Sequence, residues 1–271
     1  MGNKVIFILA LWFSSTTLFA STADTIRVYS KKMNKEIKVV VLLPDNYSKT
    51  NESFPVVYLL HGYSDNYATW LKQVPDLHNY ADEFNMIIVM PDGGFNSWYW
   101  DSPVDAHSQY ETFISSELIC FIDKHYHTLA SRNGRAITGN SMGGQGALFL
   151  AIRHQDVYGA AGSLSGGVDI RPFPKEWDMA TRLGQYKQNK KLWNDYAVIN
   201  LIDNLKPGTL QLIIDCGTGD FFYEVNETLH NKLLKKNIPH TYITHPGEHN
   251  WDVWNLAVPF QFRFFKQHFN Q

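Results

Sequence analysis

Gly139-Asn140-Ser141-Met142-Gly143 is the stretch on which the fold turns. The preceding Arg135-Ala136-Ile137-Thr138 is short and apolar enough to be a buried strand. The following Gly143-Gly144-Gln145-Gly146-Ala147-Leu148-Phe149-Leu150-Ala151 reads as a helix with small residues in its first turn. A serine at such a strand-to-helix corner sits on a strained turn with its hydroxyl presented outward. Glycines two residues to either side keep side chains clear of the neighbouring strand and helix. The helix starts at the serine, so its free N–H groups and positive end favour a developing oxyanion.

The surrounding chain has the rhythm such a corner needs. Residues 26–29 and 38–43 alternate in polarity around Lys31-Lys32-Met33-Asn34-Lys35 and predict an antiparallel hairpin. Continuous apolar runs at 55–60 and 86–90 suit strands covered on both faces. Helical spacing follows at 110–126 and a further strand at 158–165. Residues 168–208 break the alternation and predict a cap insertion near the site mouth. A strand at 210–215, a helix at 222–236, a strand at 240–244 and a helix at 251–269 complete the pattern. The expectation is a single α/β domain over residues 24–271, with a mostly parallel, doubly wound sheet behind an antiparallel N-terminal hairpin.

With 271 residues, 44% of them hydrophobic and 18% charged, the chain suffices for one α/β domain with a large core. A formal net charge of −2 speaks against a nucleic-acid footprint or a polybasic membrane patch. Lys4, the apolar residues 5–13 and the small residues Ala20 and Ala23 predict a secretory signal over residues 1–23. The mature protein is then secreted or periplasmic, without stable membrane association. Cys120 and Cys216 both read as buried small apolar residues rather than nucleophiles.

A serine hydroxyl is a poor nucleophile at neutral pH, so it needs a histidine base that is itself held by a carboxylate. In this fold the order along the chain is Ser, acid, His. Asp220, in Cys216-Gly217-Thr218-Gly219-Asp220 after a strong strand, is the expected acid; Asp215 lies within the strand and reads as structural. His249, in Pro246-Gly247-Glu248-His249-Asn250-Trp251, is the expected base. Met142 and Tyr63 are the expected backbone donors of an oxyanion hole, with His61 bracing the loop that carries Tyr63. His245 precedes His249 by four residues, but Pro246-Gly247 between them prevents a helical metal pair, so no metal is expected, and no cofactor is expected because the triad supplies the base and the hole the charge stabilisation.

His61-Gly62-Tyr63 with Trp70, Met90-Pro91-Asp92-Gly93, the Ser141 corner, Cys216-Gly217-Thr218-Gly219-Asp220 and Gly247-Glu248-His249-Asn250-Trp251 together resemble the esterase D family of α/β-hydrolases. The resemblance runs in order over nearly the whole chain after residue 23. That family includes feruloyl and acetyl-xylan esterases, tributyrin-type esterases, S-formylglutathione hydrolases and mycolyltransferases. It implies ester hydrolysis through an acyl-enzyme on Ser141, with Asp220 and His249 completing the triad. S-formylglutathione hydrolases usually continue His-Gly with Leu-Thr-Cys, whereas this chain has Tyr63-Ser64-Asp65. Trp98, Tyr99 and Trp100, with Trp70 and Trp177, are expected to form a flat-sided surface for a sugar or cinnamoyl group of a small-molecule or polysaccharide ester. An acyltransferase or a general short-chain carboxylesterase on the same triad is the alternative, and a carbohydrate-binding domain without turnover the third.

Overall fold

The computed structural model describes residues 22–270. The predicted signal segment lies outside these residues, apart from Thr22 and Ala23, which open the first strand. Among the described residues one sheet runs in the order β1 (Thr22–Ser30), β2 (Lys35–Leu43), β4 (Ile87–Pro91), β3 (Val56–Leu60), β5 (Arg135–Gly139), β6 (Ala160–Leu164), β7 (Gln211–Gly217) and β8 (Thr241–His245). β1 pairs antiparallel with β2, and β2 antiparallel with β4. From β4 to β8 every pairing is parallel. This is the doubly wound sheet with an antiparallel hairpin that the sequence predicts.

The central strands are apolar on both sides because helices cover both faces. Val57 and Leu59 pack with Trp254, Val258 and Phe262 of the last helix, Trp251–Phe269. Val56, Tyr58 and Leu60 point the other way, toward Phe113, Leu118 and Phe149. Helix Met142–Arg153 is buried from Met142 through Ile152. A helix with no polar face is one enclosed by the rest of the domain, so the segment that follows Ser141 is fixed in the core.

Residues 168–208 form short helices, Ala180–Leu183, Lys190–Tyr196 and Val198–Leu201, that send Trp193 and Val198 into the core. Polar ties fasten them to the segment after β4. Trp98 Nε1 donates to the Trp177 carbonyl at 3.2 Å, Ser102 Oγ to that of Arg182 at 2.8 Å, and Tyr196 to that of Asp101 at 3.0 Å. Arg182 also pairs with Asp105.

One expectation about the cysteines is corrected. Cys216 is buried in β7, but Cys120 is exposed. Helix Leu118–His125 turns Leu118, Ile119 and Ile122 inward, and that phase leaves position 120 facing solvent. Both cysteines are free thiols.

The corner depends on a close backbone crossing. A Cβ on Gly143 would lie 2.4 Å from the Leu60 carbonyl oxygen and 2.7 Å from that of His61. Neither is a flexible group that can move aside. Gly143→Ala is therefore expected to cost about 1–3 kcal/mol of stability, read as a lower urea midpoint at unchanged m. A midpoint equal to that of the parent protein would show that the crossing is looser than described.

Candidate active site

Ser141 has φ 55 and ψ −116, a left-handed conformation that only the surrounding packing can maintain. Its N–H donates to the Leu164 carbonyl at 2.8 Å, pinning the corner to β6. His249 Nε2 lies 2.8 Å from Ser141 Oγ, and His249 Nδ1 lies 2.8 Å from Asp220 Oδ2. An ionised carboxylate can only accept, so the Nδ1–H donates to Asp220 and Nε2 is left to accept from the serine hydroxyl. Asp220 Oδ1 also accepts from the Phe222 N–H at 2.7 Å, which holds the carboxylate from its other side. Three residues separated by up to 108 positions thus meet in one hydrogen-bonded line.

The loops carrying acid and base are fastened to each other. The Thr218 N–H donates to the His245 carbonyl at 2.9 Å and the Gly219 N–H to that of Gly247 at 2.8 Å. Beneath them, Asp215 Oδ1 lies 2.9 Å from His245 Nε2. Asp215 is 1% exposed, and burial pushes its carboxyl up to about 6 against the opposing pull of His245. Asp215 and His245 are thus bonded to one another, away from the Ser141 line.

The two N–H groups expected to form an oxyanion hole are left without acceptors by the peptide geometry. Among the described residues neither the Met142 nor the Tyr63 N–H has an acceptor. Met142 opens the helix, where no intrahelical carbonyl is available. His61 is 1% exposed and its Nε2 accepts from the Gly93 N–H at 2.7 Å, so its Nδ1–H must donate to the Gly62 carbonyl at 2.8 Å. Burial lowers the His61 pKa, which favours this neutral form. In a trans peptide the C=O and the following N–H point in opposite directions. Tying down the Gly62 carbonyl therefore fixes the direction of the Tyr63 N–H.

Gly62, Tyr63, Asp65, Ser141, Trp177 and Phe221 are among the residues lining a cavity of about 150 Å³ around the serine. Phe221 stacks on Trp177 with centroids 5.5 Å apart and leans on the His249 ring at 4.2 Å. Trp254 meets His249 edge-on at 4.9 Å. The Tyr63 hydroxyl donates to Asp178 Oδ2 at 2.7 Å, and burial together with that carboxylate pushes the phenol up to about 12.

The expected surface of Trp70, Trp98, Tyr99 and Trp100 is not formed, because all four are at most 1% exposed. Trp70 Nε1 donates to the Leu60 carbonyl at 2.9 Å under the site. Tyr99 donates to the His61 carbonyl at 3.0 Å and fills the space that Gly93 and Gly146 leave open. Trp98 and Trp100 stack on each other behind Trp177. These side chains carry the loops. Of the expected aromatics only Trp177 lines the cavity, and Tyr63, Phe221 and Trp254 complete the aromatic wall. Phe221 directly follows the expected acid and Trp254 lies one helical turn into the last helix, so adjacency to the triad was the available signal.

Sheet order, corner and hydrogen-bonded Ser–His–Asp line define an α/β-hydrolase. The chain belongs to the Esterase family, whose model matches residues 30–265. It is 28% identical over 254 residues to an acetyl esterase of Caldicellulosiruptor saccharolyticus, covering 86% of this chain and 94% of that one. Among solved structures it is similar to a ferulic acid esterase, with 26% identity and a TM-score of 0.81 over 93% of this chain and 99% of the other. An S-formylglutathione hydrolase from Agrobacterium tumefaciens shares the fold, with a TM-score of 0.80 at 20% identity over 94% and 98% of the two chains. The protein is an esterase, as the resemblance implied.

The Asp215 carboxyl gives a pH-dependent expectation. Its folded-state pKa is raised from the ordinary 3.8 to about 6, so its favourable contribution is present at low pH and lost as pH rises through that interval. Asp215→Asn keeps the shape without the charge. Relative to the parent, it should gain up to about 3 kcal/mol of stability on going from about pH 4 to pH 7, measured by urea unfolding at both values. A pH-independent difference would mean that Asp215 does not titrate in this range.

Proposed function

We propose that this protein is an exported serine esterase that removes feruloyl or acetyl groups from plant-polysaccharide esters such as xylan. The observation that carries the reading is the line Ser141–His249–Asp220, with both contacts at 2.8 Å, beside the Met142 and Tyr63 N–H groups that have no acceptor among the described residues. Ser141 Oγ attacks the ester carbonyl while His249 Nε2 takes its proton. The oxyanion that develops is met by the Met142 and Tyr63 N–H groups. His249 then returns the proton to the departing alcohol, leaving an acyl group on Ser141. Water, deprotonated by the same nitrogen, releases it. Asp220 stays ionised and holds the imidazolium. The triad and the two N–H donors supply all of these steps, so no cofactor enters the proposal.

The substrate class rests on the cavity and on the relatives. The flat faces of Trp177 and Phe221 suit a cinnamoyl ring, and the ferulic acid esterase neighbour supports that acyl group. The acetyl esterase relative supports the smaller one. Location outside the cytoplasm is proposed from the sequence of residues 1–23 alone.

Hydrolysis of p-nitrophenyl acetate and methyl ferulate, with Ser141→Ala in parallel, tests the reading. Ser141→Ala should lower kcat by roughly 10⁴-fold or more and abolish covalent labelling by a fluorophosphonate. Parent-like turnover by the variant would sink the mechanism. His61→Leu leaves the Gly62 carbonyl held only by the Asp65 N–H at 3.3 Å and should lower kcat by up to about 10²-fold with little change in KM, the signature of a weakened oxyanion donor. An effect confined to KM would place His61 outside transition-state stabilisation.

A further inference from the structure

Next to the Ser141 cavity, across a partition of two rings, lies a second cavity of about 290 Å³. Tyr63 faces the first cavity and Phe95 the second, with centroids 5.0 Å apart at 68°. The second is lined from four separate segments, by Lys35, Phe95, Asp105, Ser108, Tyr110 and Arg182 among others. Its polar groups are not all spent on the protein. Ser108 is 3% exposed, yet its Oγ has no hydrogen-bond partner. Lys35 Nζ donates to the His107 carbonyl at 3.1 Å and to the Tyr110 hydroxyl at 3.4 Å. An ammonium carries three N–H groups, so one remains. Arg182 and Asp105 neutralise one another, which leaves Lys35 without a carboxylate partner among the described residues. Burial lowers its pKa against the pull of Asp105 and Asp92. At the rim the Phe95 ring is 58% exposed.

An exposed flat ring beside a buried, unpartnered hydroxyl and a spare ammonium N–H matches a ligand with a C–H face and a rim of hydroxyls. We infer that this cavity is a subsite for a sugar residue of the polysaccharide chain, one removed from the ester that Ser141 cleaves. Phe95 stacks under the sugar ring, Ser108 Oγ and Lys35 Nζ bond its hydroxyl oxygens, and the Tyr63–Phe95 partition separates that residue from the acyl group. The inference rests on the proposed reaction at Ser141 and adds the part of the substrate that small esters lack.

The test compares kcat/KM on acetylated xylotetraose with kcat/KM on p-nitrophenyl acetate. Ser108→Ala removes a hydroxyl that makes no internal bond, Lys35→Met keeps the aliphatic stem, and Phe95→Leu keeps apolar bulk. The ratio should fall roughly threefold or more for Ser108→Ala and Phe95→Leu and about tenfold for Lys35→Met. Unacetylated xylotetraose should bind Ser141→Ala protein in a calorimetric titration, and more weakly when Lys35→Met is added. Ratios unchanged within twofold in all three variants, or no binding by the Ser141→Ala protein, would overturn the subsite. Failure of the parent protein to cleave p-nitrophenyl acetate would instead remove the reaction on which the subsite rests, so the two failures are distinguishable.

Discussion

The site depends on one close approach, the passage of the Ser141 corner over the carbonyl end of β3. Gly139 and Gly143 each leave only 2.4 Å between a hypothetical Cβ and the Leu60 carbonyl oxygen. Any side chain at either position would push the helix off the strand. The approach sets two things at once. It holds Ser141 in a left-handed conformation that an isolated chain would avoid. It also brings the serine beside Gly62, whose hypothetical Cβ lies 3.6 Å from Ser141 Cβ, and hence beside the peptide that presents the Tyr63 N–H. The proposed nucleophile and the proposed oxyanion donor are therefore positioned by backbone packing, where side-chain rotamer freedom cannot loosen them.

Acid and base are placed differently, because β8 is an edge strand and only half covered. A short edge strand has one neighbour to fix its register, and a slip would carry His249 away from both partners. β7 supplies the restraint beyond the ladder itself. Backbone bonds from Thr218 and Gly219 tie the two loops, and the Asp215–His245 contact ties the strand ends below them. Asp215 is an expensive tie at neutral pH, since one of its oxygens is buried without a partner. It sits at the point where a loss of register would separate Asp220 from His249.

The parts legible in the sequence were those with local causes. The elbow, the Gly-rich turn before Asp220 and the turn before His249 each state their geometry within a few residues. The bracing role of His61 was legible for the same reason, since it directly follows a core strand. Trp98, Tyr99 and Trp100 were misread because a loop has no periodicity from which to infer a buried face. Their burial is decided by distant partners: Gly146 makes room for Tyr99, and Phe149 and Tyr196 close over Trp100. Cys120 was a different kind of error. The phase of Leu118, Ile119 and Ile122 already turned it outward, and its residue type was given more weight than its position.

The aromatic wall bears on the proposed chemistry as well as on the acyl group. His249 is flanked by Phe221, Phe222 and Trp254, with centroid distances from 4.2 to 5.4 Å, so few polar groups are left to solvate an imidazolium. In such surroundings a charge is stabilised chiefly by its nearest counter-charge, and the attraction is stronger than it would be in water. Asp220, with its side chain fully enclosed and both oxygens engaged, is that counter-charge. Phe221 and Phe222 immediately follow Asp220, and the Phe222 N–H is one of the groups that hold it. The same turn therefore supplies the carboxylate, a donor that fixes it and two of the rings that exclude water from the histidine. A substitution at Phe221 would reach the reaction through solvent access to His249 as well as through any lost contact with the acyl group.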